Sequence, residues 1–359
     1  MQETTPALLA AGLLMASMLT PRNAERPIVI AHRGASGERP EHTLASYELG
    51  IQQGADFVEP DLVATKDGVL VCRHENEIST TTDVASHPEF AARRTTKTID
   101  GTPTTGWFTE DFSFAEIRTL RARERLPQLR GTSFDGRFEV PSFDDVLALV
   151  SASNATPERR ERPLGVYPET KHPSYFDGLG LPLETPLLEA LRRHGLDRAD
   201  APVFIQSFEV SNLRRLATLT RVPLVQLIEP QGRPWDATLG RFAGTYADMI
   251  RPEGLREIAR YARGIGAHKN LVLPRDSGDR LLPPTALVRD AHAAGLLVHV
   301  FTLRIENQFL PAELRRGQDL AAAGDLAAEA ELFLKAGVDG FFADQPAIGV
   351  KARDAFLRR

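Results

Sequence analysis

Short apolar runs alternate with helix-length segments along almost the whole chain from residue 27 onward. This alternation is typical of strand–helix units, whose strands form a parallel sheet covered by helices. Eight runs have the length of strands: 27–31, 56–62, 69–73, 164–169, 202–206, 222–228, 297–302 and 339–343. Eight such units predict an α/β fold, a closed (β/α)8 TIM barrel over residues 27–355. The run 271–274 is a further candidate strand.

Segments with helical patterns lie at 41–53, 143–151, 184–194, 209–219, 252–264, 284–295 and 327–336. One stretch, about 75–139, breaks the pattern and contains the aromatic residues Trp107, Phe108, Phe112 and Phe114. Loops of this length are uncommon in compact domains, so we expect an inserted subdomain after the third strand, with its own small core. An insertion at the carboxyl end of a strand lies on the active-site side of a barrel and should wall the substrate pocket.

Composition narrows the classes of partner. The chain has 359 residues and a formal net charge of -5. The chain has no excess of positive charge that would attract a polyanion, so we expect a small-molecule substrate and no nucleic acid. No glycine-rich dinucleotide motif, Walker loop or nucleophile elbow is present in the sequence. The single cysteine, Cys72, excludes an intrachain disulfide, and its apolar surroundings predict a packed thiol.

Residues 6–19 form an apolar segment. It has about the length of a secretory signal core and is shorter than the roughly 20 residues that span a bilayer. We therefore expect residues 1–26 to form a signal peptide and the protein to be periplasmic or secreted, without membrane contact beyond export. No Lys or Arg precedes the segment, and the alternative is a disordered or docking N-terminal segment on a cytoplasmic protein.

Carboxylates occur near the ends of two predicted strands. Glu59 and Asp61 are two residues apart and therefore share a strand face, and Glu169 ends a second strand. Hard divalent ions prefer such an all-oxygen set, whereas Zn²⁺ would usually recruit His or Cys. Converging buried acids without a cation would be costly or would titrate. We predict one divalent cation, with Ca²⁺ favoured over Mg²⁺; the alternative is that each acid neutralises a nearby Arg or Lys.

Two histidines directly follow predicted strands. His32 follows the first strand and His74 the third. An imidazole titrates near neutrality and can act as either base or acid, so a pair beside a carboxylate cluster predicts acid–base catalysis. For the other histidines, His42 and His172 among them, we expect surface or core roles.

Arg33 and Lys171 add positive charge at the same predicted end of the barrel. A guanidinium matches the oxygens of a phosphate, and Lys171 shares a strand face with Glu169. Acids for a metal beside bases for an anion predict a phosphate-containing substrate. The alternative is that Lys171 pairs with neighbouring acids.

Several motifs occur in a fixed order: HRGASG at 32–37, PEHT at 40–43, EPD at 59–61, TKDG at 65–68, His74, GWFTEDF at 106–112, YPETK at 167–171, QSF at 206–208 and DQP at 344–346. In these motifs the chain resembles the glycerophosphodiester phosphodiesterase family, and most closely its bacterial, exported members. The resemblance covers about residues 27–350. It departs from the family at Glu75, where many members have Asp, and at His42, where many have Asn.

The resemblance implies a (β/α)8 barrel with Ca²⁺ or Mg²⁺ held at Glu59, Asp61 and Glu169. It also implies catalysis by His32 and His74, with phosphate contacts from Arg33 and Lys171. The implied reaction hydrolyses glycerophosphodiesters to sn-glycerol 3-phosphate and an alcohol through a cyclic phosphate.

Two other functions stay open at this point. A related barrel lipase of phospholipase C or D type would act on intact lipids, and the inserted aromatic cluster could supply its apolar rim. A surface binding protein on the same barrel would show little catalysis.

Overall fold

The computed structural model describes residues 26–359, so the predicted signal peptide lies almost entirely outside the described residues. The strands are β1 Ile28–Ala31, β2 Phe57–Val58, β3 Asp61–Ala64, β4 Leu70–Cys72, β5 Thr95–Ile99, β6 Thr102–Gly106, β7 Gly165–Val166, β8 Glu169–Thr170, β9 Ile205–Ser207, β10 Leu224–Ile228, β11 Gly264–His268, β12 Leu297–Leu303 and β13 Gly340–Ala343. Within residues 26–359, no helix combines the length and hydropathy needed to cross a bilayer.

The α-helices are α1 Leu44–Gln52, α2 Phe114–Ile117, α3 Pro127–Arg130, α4 Phe143–Asn154, α5 Pro173–Gly178, α6 Glu184–Arg193, α7 Val210–Leu219, α8 Trp235–Thr238, α9 Tyr246–Met249, α10 Pro252–Ile258, α11 Lys269–Val272, α12 Leu287–Ala293, α13 Leu326–Lys335 and α14 Pro346–Leu357. Short 3₁₀ helices occupy Val84–Ser86, Pro88–Arg93, Thr109–Asp111, Pro157–Arg159, Asn307–Phe309 and Ala312–Leu314.

The parallel strands close into a barrel of eight strand positions, because β1 pairs with both β13 and β2. Two barrel strands are each broken into two pieces. Pro60 separates β2 from β3, and Pro168 lies between β7 and β8. Proline lacks an N–H and cannot donate to a sheet ladder, so each proline interrupts its strand next to site residues. The predicted α/β barrel is confirmed.

The structure corrects two strand assignments. The run 69–73 forms β4, which pairs antiparallel with β3 at the end of the sheet and is not a barrel strand. The missing barrel strand is β11, which pairs with β10 and β12. The sequence pattern left it unassigned except for Gly264, the last residue of a predicted helix. Its Gly266 accommodates the Leu227 side chain, since a Cβ there would lie 2.4 Å from Leu227 Cδ2. The candidate strand at 271–274 overlaps α11 instead.

The barrel interior is filled by large side chains. Ile30, Phe57, Tyr167, Val225 and Phe342 form one buried cluster. The Tyr167 hydroxyl lies 2.8 Å from Nδ1 of His299, and burial lowers the pKa of His299 to about 4. This histidine therefore has the core role expected of it. The interior of the barrel is therefore a packed core.

The insertion lies between β4 and α4, and its two ends are adjacent. The Cys72 amide donates to the Pro141 carbonyl at 3.0 Å, beside a bridge between Val71 and Ser142. Its aromatic residues Trp107, Phe108 and Phe112 are buried, and Trp107 Nε1 donates to the Phe90 carbonyl at 2.7 Å. Trp107 and Phe112 belong to the same buried cluster as Leu62 and Val71 of the barrel side, so the insertion packs onto the barrel and the expected separate core is not observed.

Replacing Arg353 tests what holds the last helix to the barrel. Arg353 is completely buried, and its guanidinium pairs with Asp56, whose Oδ2 also accepts the Val29 amide of β1. Arg353→Met should lower the free energy of unfolding by about 3 kcal/mol, because it leaves a carboxylate with one partner fewer. Urea denaturation measures the loss, and Lys351→Met, at an exposed position of the same helix, is the matched control. Equal stability of the two variants would contradict the assignment.

Candidate active site

Sheet register brings the three predicted carboxylates together. Asp61 and Glu169 are direct register partners in β3 and β8, and Glu169 pairs in turn with Gln206. Glu59 directly precedes the Pro60 break, and its amide bonds to the Ala31 carbonyl at 3.1 Å. One oxygen from each of Glu59, Asp61 and Glu169 lies within 4.8 Å of the others, and all three residues are buried. The convergence expected from the two-residue spacing is therefore present.

The carboxylates are only partly satisfied by the protein. Gln206 Nε2 donates to Glu59 Oε1 at 2.7 Å, and the Arg33 amide donates to Glu59 Oε2 at 3.2 Å. Burial and the neighbouring Asp61 raise the pKa of Glu59 well above its usual value. Burial also raises the pKa of Glu169 to about 7, against the opposing effect of Lys171.

Asp61 is the exception among the three carboxylates. Burial opposes its ionisation, but His42 and Arg33 hold its pKa below the usual range. Its Oδ2 lies 3.1 Å from His42 Nε2, whereas its buried Oδ1 has no hydrogen-bond partner among residues 26–359.

These residues fit a hard divalent cation. The donors are all oxygens, and one of them, Asp61 Oδ1, is buried without a partner within the described chain. Two of the three carboxyls have raised pKa values, the effect that a bound cation reverses. Glu59, Asp61 and Glu169 are therefore the residues that could hold the ion. Its identity is a matter for the proposal below.

His32 is held by a carboxylate on its far nitrogen. Nδ1 lies 2.5 Å from Asp344 Oδ1, so Nδ1–H donates to this acid and Nε2 is left as the acceptor. Nε2 lies 3.8 Å from Glu59 Oε2. Burial, followed by the charge of Arg33, lowers the pKa of His32 to about 4, so the ring is neutral at pH 7. Asp344 itself is held by Arg304 at 3.0 Å and by Arg130 from the insertion.

His74 has the same arrangement. Its Nδ1 lies 2.7 Å from Glu75 Oε1, and its Nε2 lies 3.3 Å from Lys171 Nζ. Burial, then Arg33 and Lys171, lower its pKa to about 3. The other oxygen of Glu75 lies 2.9 Å from His172 Nε2. His172 Nδ1 lies 2.6 Å from Asp100, which is at the tip of the inserted β5–β6 hairpin. The insertion is thus connected to His74 through two side chains.

The predicted phosphate contacts lie in the same pocket. Arg33 has a positive φ of 59° and is followed by Gly34 with φ of 85°, so the chain turns sharply after β1. A Cβ on Gly34 would lie 2.5 Å from the Ser46 backbone, which explains the glycine. Arg33 Nη1 pairs with Glu41 at 2.9 Å, and Nη2 has no hydrogen bond within residues 26–359. Lys171 Nζ donates to Glu169 Oε1 at 2.9 Å, so the pairing considered as its alternative role also exists.

Two histidines expected to have surface or core roles belong to the site. His42 contacts Asp61, and its Nδ1 lies 2.8 Å from the Tyr47 hydroxyl. His172 connects Glu75 to Asp100. Both have positive φ, 55° and 48°, which is uncommon outside glycine. The motif positions of His42 in PEHT and of His172 directly after YPETK were the signals that could have identified them.

The site opens into a cavity of about 540 Å³ at the barrel mouth, and Arg125 of the insertion lines it. Its walls on the side of β11 and β12 carry cationic groups. Among these are Lys269, Arg275 and Arg304. Arg125 is the insertion's contribution to this lining, and the other lining residues belong to the barrel and its loops.

Solved structures share this fold. A phosphodiesterase from Oleispira antarctica, solved in complex with the product sn-glycerol-3-phosphate, aligns with a TM-score of 0.57 and 22% identity over 91% of this chain and 97% of that one. A glycerophosphodiester phosphodiesterase from Agrobacterium tumefaciens aligns with a TM-score of 0.54 and 19% identity over 90% and 99% of the chains. The fold is that of an α/β barrel shared with these proteins.

Sequence comparison gives the family. Residues 32–348 match the profile of the glycerophosphoryl diester phosphodiesterase family. The chain is 36% identical to glycerophosphodiester phosphodiesterase GDPD6 of Arabidopsis thaliana, covering 90% of this chain and 85% of that protein. It is 29% identical to the glycerophosphodiester phosphodiesterase of Haemophilus influenzae over 96% of both. The chain belongs to the glycerophosphoryl diester phosphodiesterase family, and the enzyme class predicted from its motifs is confirmed.

Replacing His172 tests the connection to the insertion. Burial disfavours its protonation, but Asp100 and Glu75 raise its pKa to about 9. A pKa raised on folding stabilises the protein below the unfolded value near 6.5, and this stabilisation is lost as the pH rises to about 9. The difference in unfolding free energy between wild type and His172→Asn should therefore shrink over this range, by on the order of 3 kcal/mol.

Urea denaturation at a series of pH values measures this difference, and Asn tolerates the positive φ at position 172. His194→Asn, at the end of α6, is the control and should change stability by less than about 0.5 kcal/mol. A difference that grows with pH would contradict the prediction.

Proposed function

We propose that the enzyme hydrolyses glycerophosphodiesters to sn-glycerol 3-phosphate and an alcohol, using His32 and His74 as base and acid and a divalent cation. One observation carries this proposal: two imidazoles, each held by a carboxylate on Nδ1, lie beside the three converging acids. The named activities of the relatives support the substrate class.

Substrate binding would use the positive groups of the pocket. Lys171 lines the pocket, and Nη2 of Arg33 forms no hydrogen bond within residues 26–359. Both groups could donate hydrogen bonds to the non-bridging oxygens of a phosphodiester. When bound, the cation supplies charge neutralisation at the phosphate and polarises oxygens that it contacts. Ca²⁺ is favoured because it accepts irregular all-oxygen sites and bidentate carboxylates.

In the first step, Nε2 of His32 takes the proton of the glycerol 2-hydroxyl as that oxygen attacks phosphorus. His32 is neutral beforehand, and Asp344 stabilises the imidazolium that forms. His74 gives a proton to the departing alcohol, and Glu75 supports its protonated form. The negative charge of a bound phosphate favours this form relative to the free enzyme.

A glycerol cyclic phosphate results from the first step. In the second step the two histidines exchange roles: His74 takes a proton from water, and His32 returns one to the 2-oxygen of glycerol. Arg33 and Lys171 stabilise the charge that develops on the phosphate in both steps. The apolar segment at residues 6–19 supports the additional proposal that this reaction takes place in the periplasm or outside the cell.

Replacing either histidine tests the catalytic assignment. His32→Ala and His74→Ala should each lower kcat on glycerophosphoethanolamine by at least about 10²-fold, because each removes a positioned proton acceptor or donor. Release of glycerol 3-phosphate is measured. His194→Ala, outside the pocket, is the control, and wild-type turnover in His32→Ala or His74→Ala would reject that residue's role.

The same assay tests the cyclic intermediate. A substrate analogue in which the 1- and 2-hydroxyls are both replaced by hydrogen, a propyl phosphodiester, has no internal nucleophile and should not be cleaved. Cleavage of this analogue at the normal rate would instead indicate direct attack by water.

Metal binding can be tested without measuring enzyme activity. Isothermal titration calorimetry with Ca²⁺ should give an affinity at least about 10-fold weaker for Glu59→Gln than for wild type, because affinity depends on the charge of the ligands. Glu161→Gln, an exposed position in the same charge class, is the matched control. Unchanged affinity in Glu59→Gln would contradict the metal assignment, and a parallel titration with Mg²⁺ ranks the two ions.

A further inference from the structure

A second cavity of about 330 Å³ adjoins the catalytic pocket. The two cavities share Glu169, Lys171, Phe208 and Glu229. The remaining walls of the second cavity include Asp100, His172, Glu209, Arg233, Trp235 and Tyr246. We call it the side cavity. None of these six residues takes part in the reaction steps described above.

Three aromatic rings line the side cavity. Phe208 and Tyr246 meet nearly at right angles, with ring centroids 6.4 Å apart. Trp235 contacts the inserted hairpin, since a Cβ on Gly101 would lie 2.8 Å from Trp235 Cη2. Tyr246 is only 7% exposed, and its hydroxyl has no hydrogen-bond partner within the described part of the chain. This hydroxyl is not among the buried atoms without a partner, so it is accessible from the cavity that Tyr246 lines.

The charges of the side cavity also indicate the class of ligand. Glu229 forms no hydrogen bond or ion pair with any residue in 26–359 and is partly buried. By contrast, the cationic groups Lys171 and His172 are already paired, with Glu169 and with Glu75 and Asp100, and Arg233 is exposed. Burial raises the pKa of Glu209 to about 7 and shifts that of Glu229 in the same direction. A cation in the cavity would relieve both carboxyls.

The side cavity lies next to His74. Lys171, which lines both cavities, has its Nζ 3.3 Å from His74 Nε2, and His172 and Asp100 continue from Glu75 on the other nitrogen. An alcohol that leaves beside His74 therefore has its head group nearest the side cavity. The walls near β11 and β12 carry Lys269, Arg275 and Arg304, which pair with Glu329 and Asp344. The carboxylates that line the catalytic pocket, Glu229 among them, lie on its other walls.

We infer that the side cavity binds the head group of the substrate, and that this head group is an ammonium alcohol, with a quaternary ammonium preferred. Aromatic faces attract a desolvated alkylammonium group, and Glu229 supplies the opposite charge. This inference rests on the proposed hydrolysis of phosphodiesters. It adds a head-group preference to that activity and assigns Trp235, Tyr246 and Glu229 to recognition.

Binding of the product alcohol tests the inference without catalysis. The chain has two tryptophans, and choline should change the intrinsic fluorescence of the wild type through Trp235. The change should disappear in Trp235→Phe. The uncharged carbon isostere 3,3-dimethylbutan-1-ol should have little effect at equal concentration. An equal response to the isostere, or an unchanged response in Trp235→Phe, would overturn the inference.

Kinetics separate this inference from the proposed function. The ratio of kcat/KM for glycerophosphocholine to that for glycerophosphoglycerol, whose head group is uncharged, is measured in each protein. Glu229→Gln should lower this ratio at least about 10-fold, equivalent to about 1.4 kcal/mol. Glu189→Gln, exposed on α6, is the control and should leave the ratio unchanged.

The outcomes are distinct. If the wild type hydrolyses neither diester with Ca²⁺ or Mg²⁺ present, the proposed function fails. If it hydrolyses both and the ratio is the same in Glu229→Gln, only the head-group inference fails.

Discussion

The burial of three like charges at one end of the barrel is the constraint on which the rest of the site depends. Register places Asp61 directly beside Glu169 and places Glu59 next to the same break in the sheet. Acids this close can stay together only if positive charge is supplied nearby, and the protein supplies part of it through Arg33, His42 and Lys171. The positive charge that these side chains do not supply could come from a cation bound between the three carboxylates. The imidazoles of His32 and His74, to which we assign proton transfer in the proposed reaction, lie around this arrangement.

Local patterns were sufficient for the features that depend on neighbours in sequence. The two-residue spacing of Glu59 and Asp61 predicted their shared face, and the strand end before His32 predicted its place at the barrel mouth. His74 reaches the same place by a different route, because β4 runs antiparallel to β3. Patterns failed where the cause was a distant contact. Strand β11 contains Gly264 and Gly266 because side chains of neighbouring strands occupy the space, so Ile265 is the single β-branched residue in its five positions.

The same limit applies within the site. The apolar run at 69–73 correctly indicated a strand, but an apolar run alone does not distinguish a barrel strand from the antiparallel β4. His42 and His172 reach the site through left-handed backbone turns and meet partners far along the chain. No periodic pattern records such contacts. The sequence motifs that contain His42 or directly precede His172 could be recognised, whereas the contacts of the two side chains could be seen only in the structure.

The attachment of the insertion has a consequence for how such enzymes diversify. Its two ends meet at Cys72 and Pro141, so the excursion leaves and rejoins the barrel at a single place. Loops of this kind can be lengthened, shortened or exchanged without disturbing the scaffold beneath them. Here the exchangeable part also carries Asp100, which reaches His74 through His172 and Glu75, and the contact with Trp235. One genetic change could therefore alter the side cavity and the support of the His74 imidazole together. A change in such an insertion that alters which substrates are accepted therefore also risks lowering the rate at which they are converted.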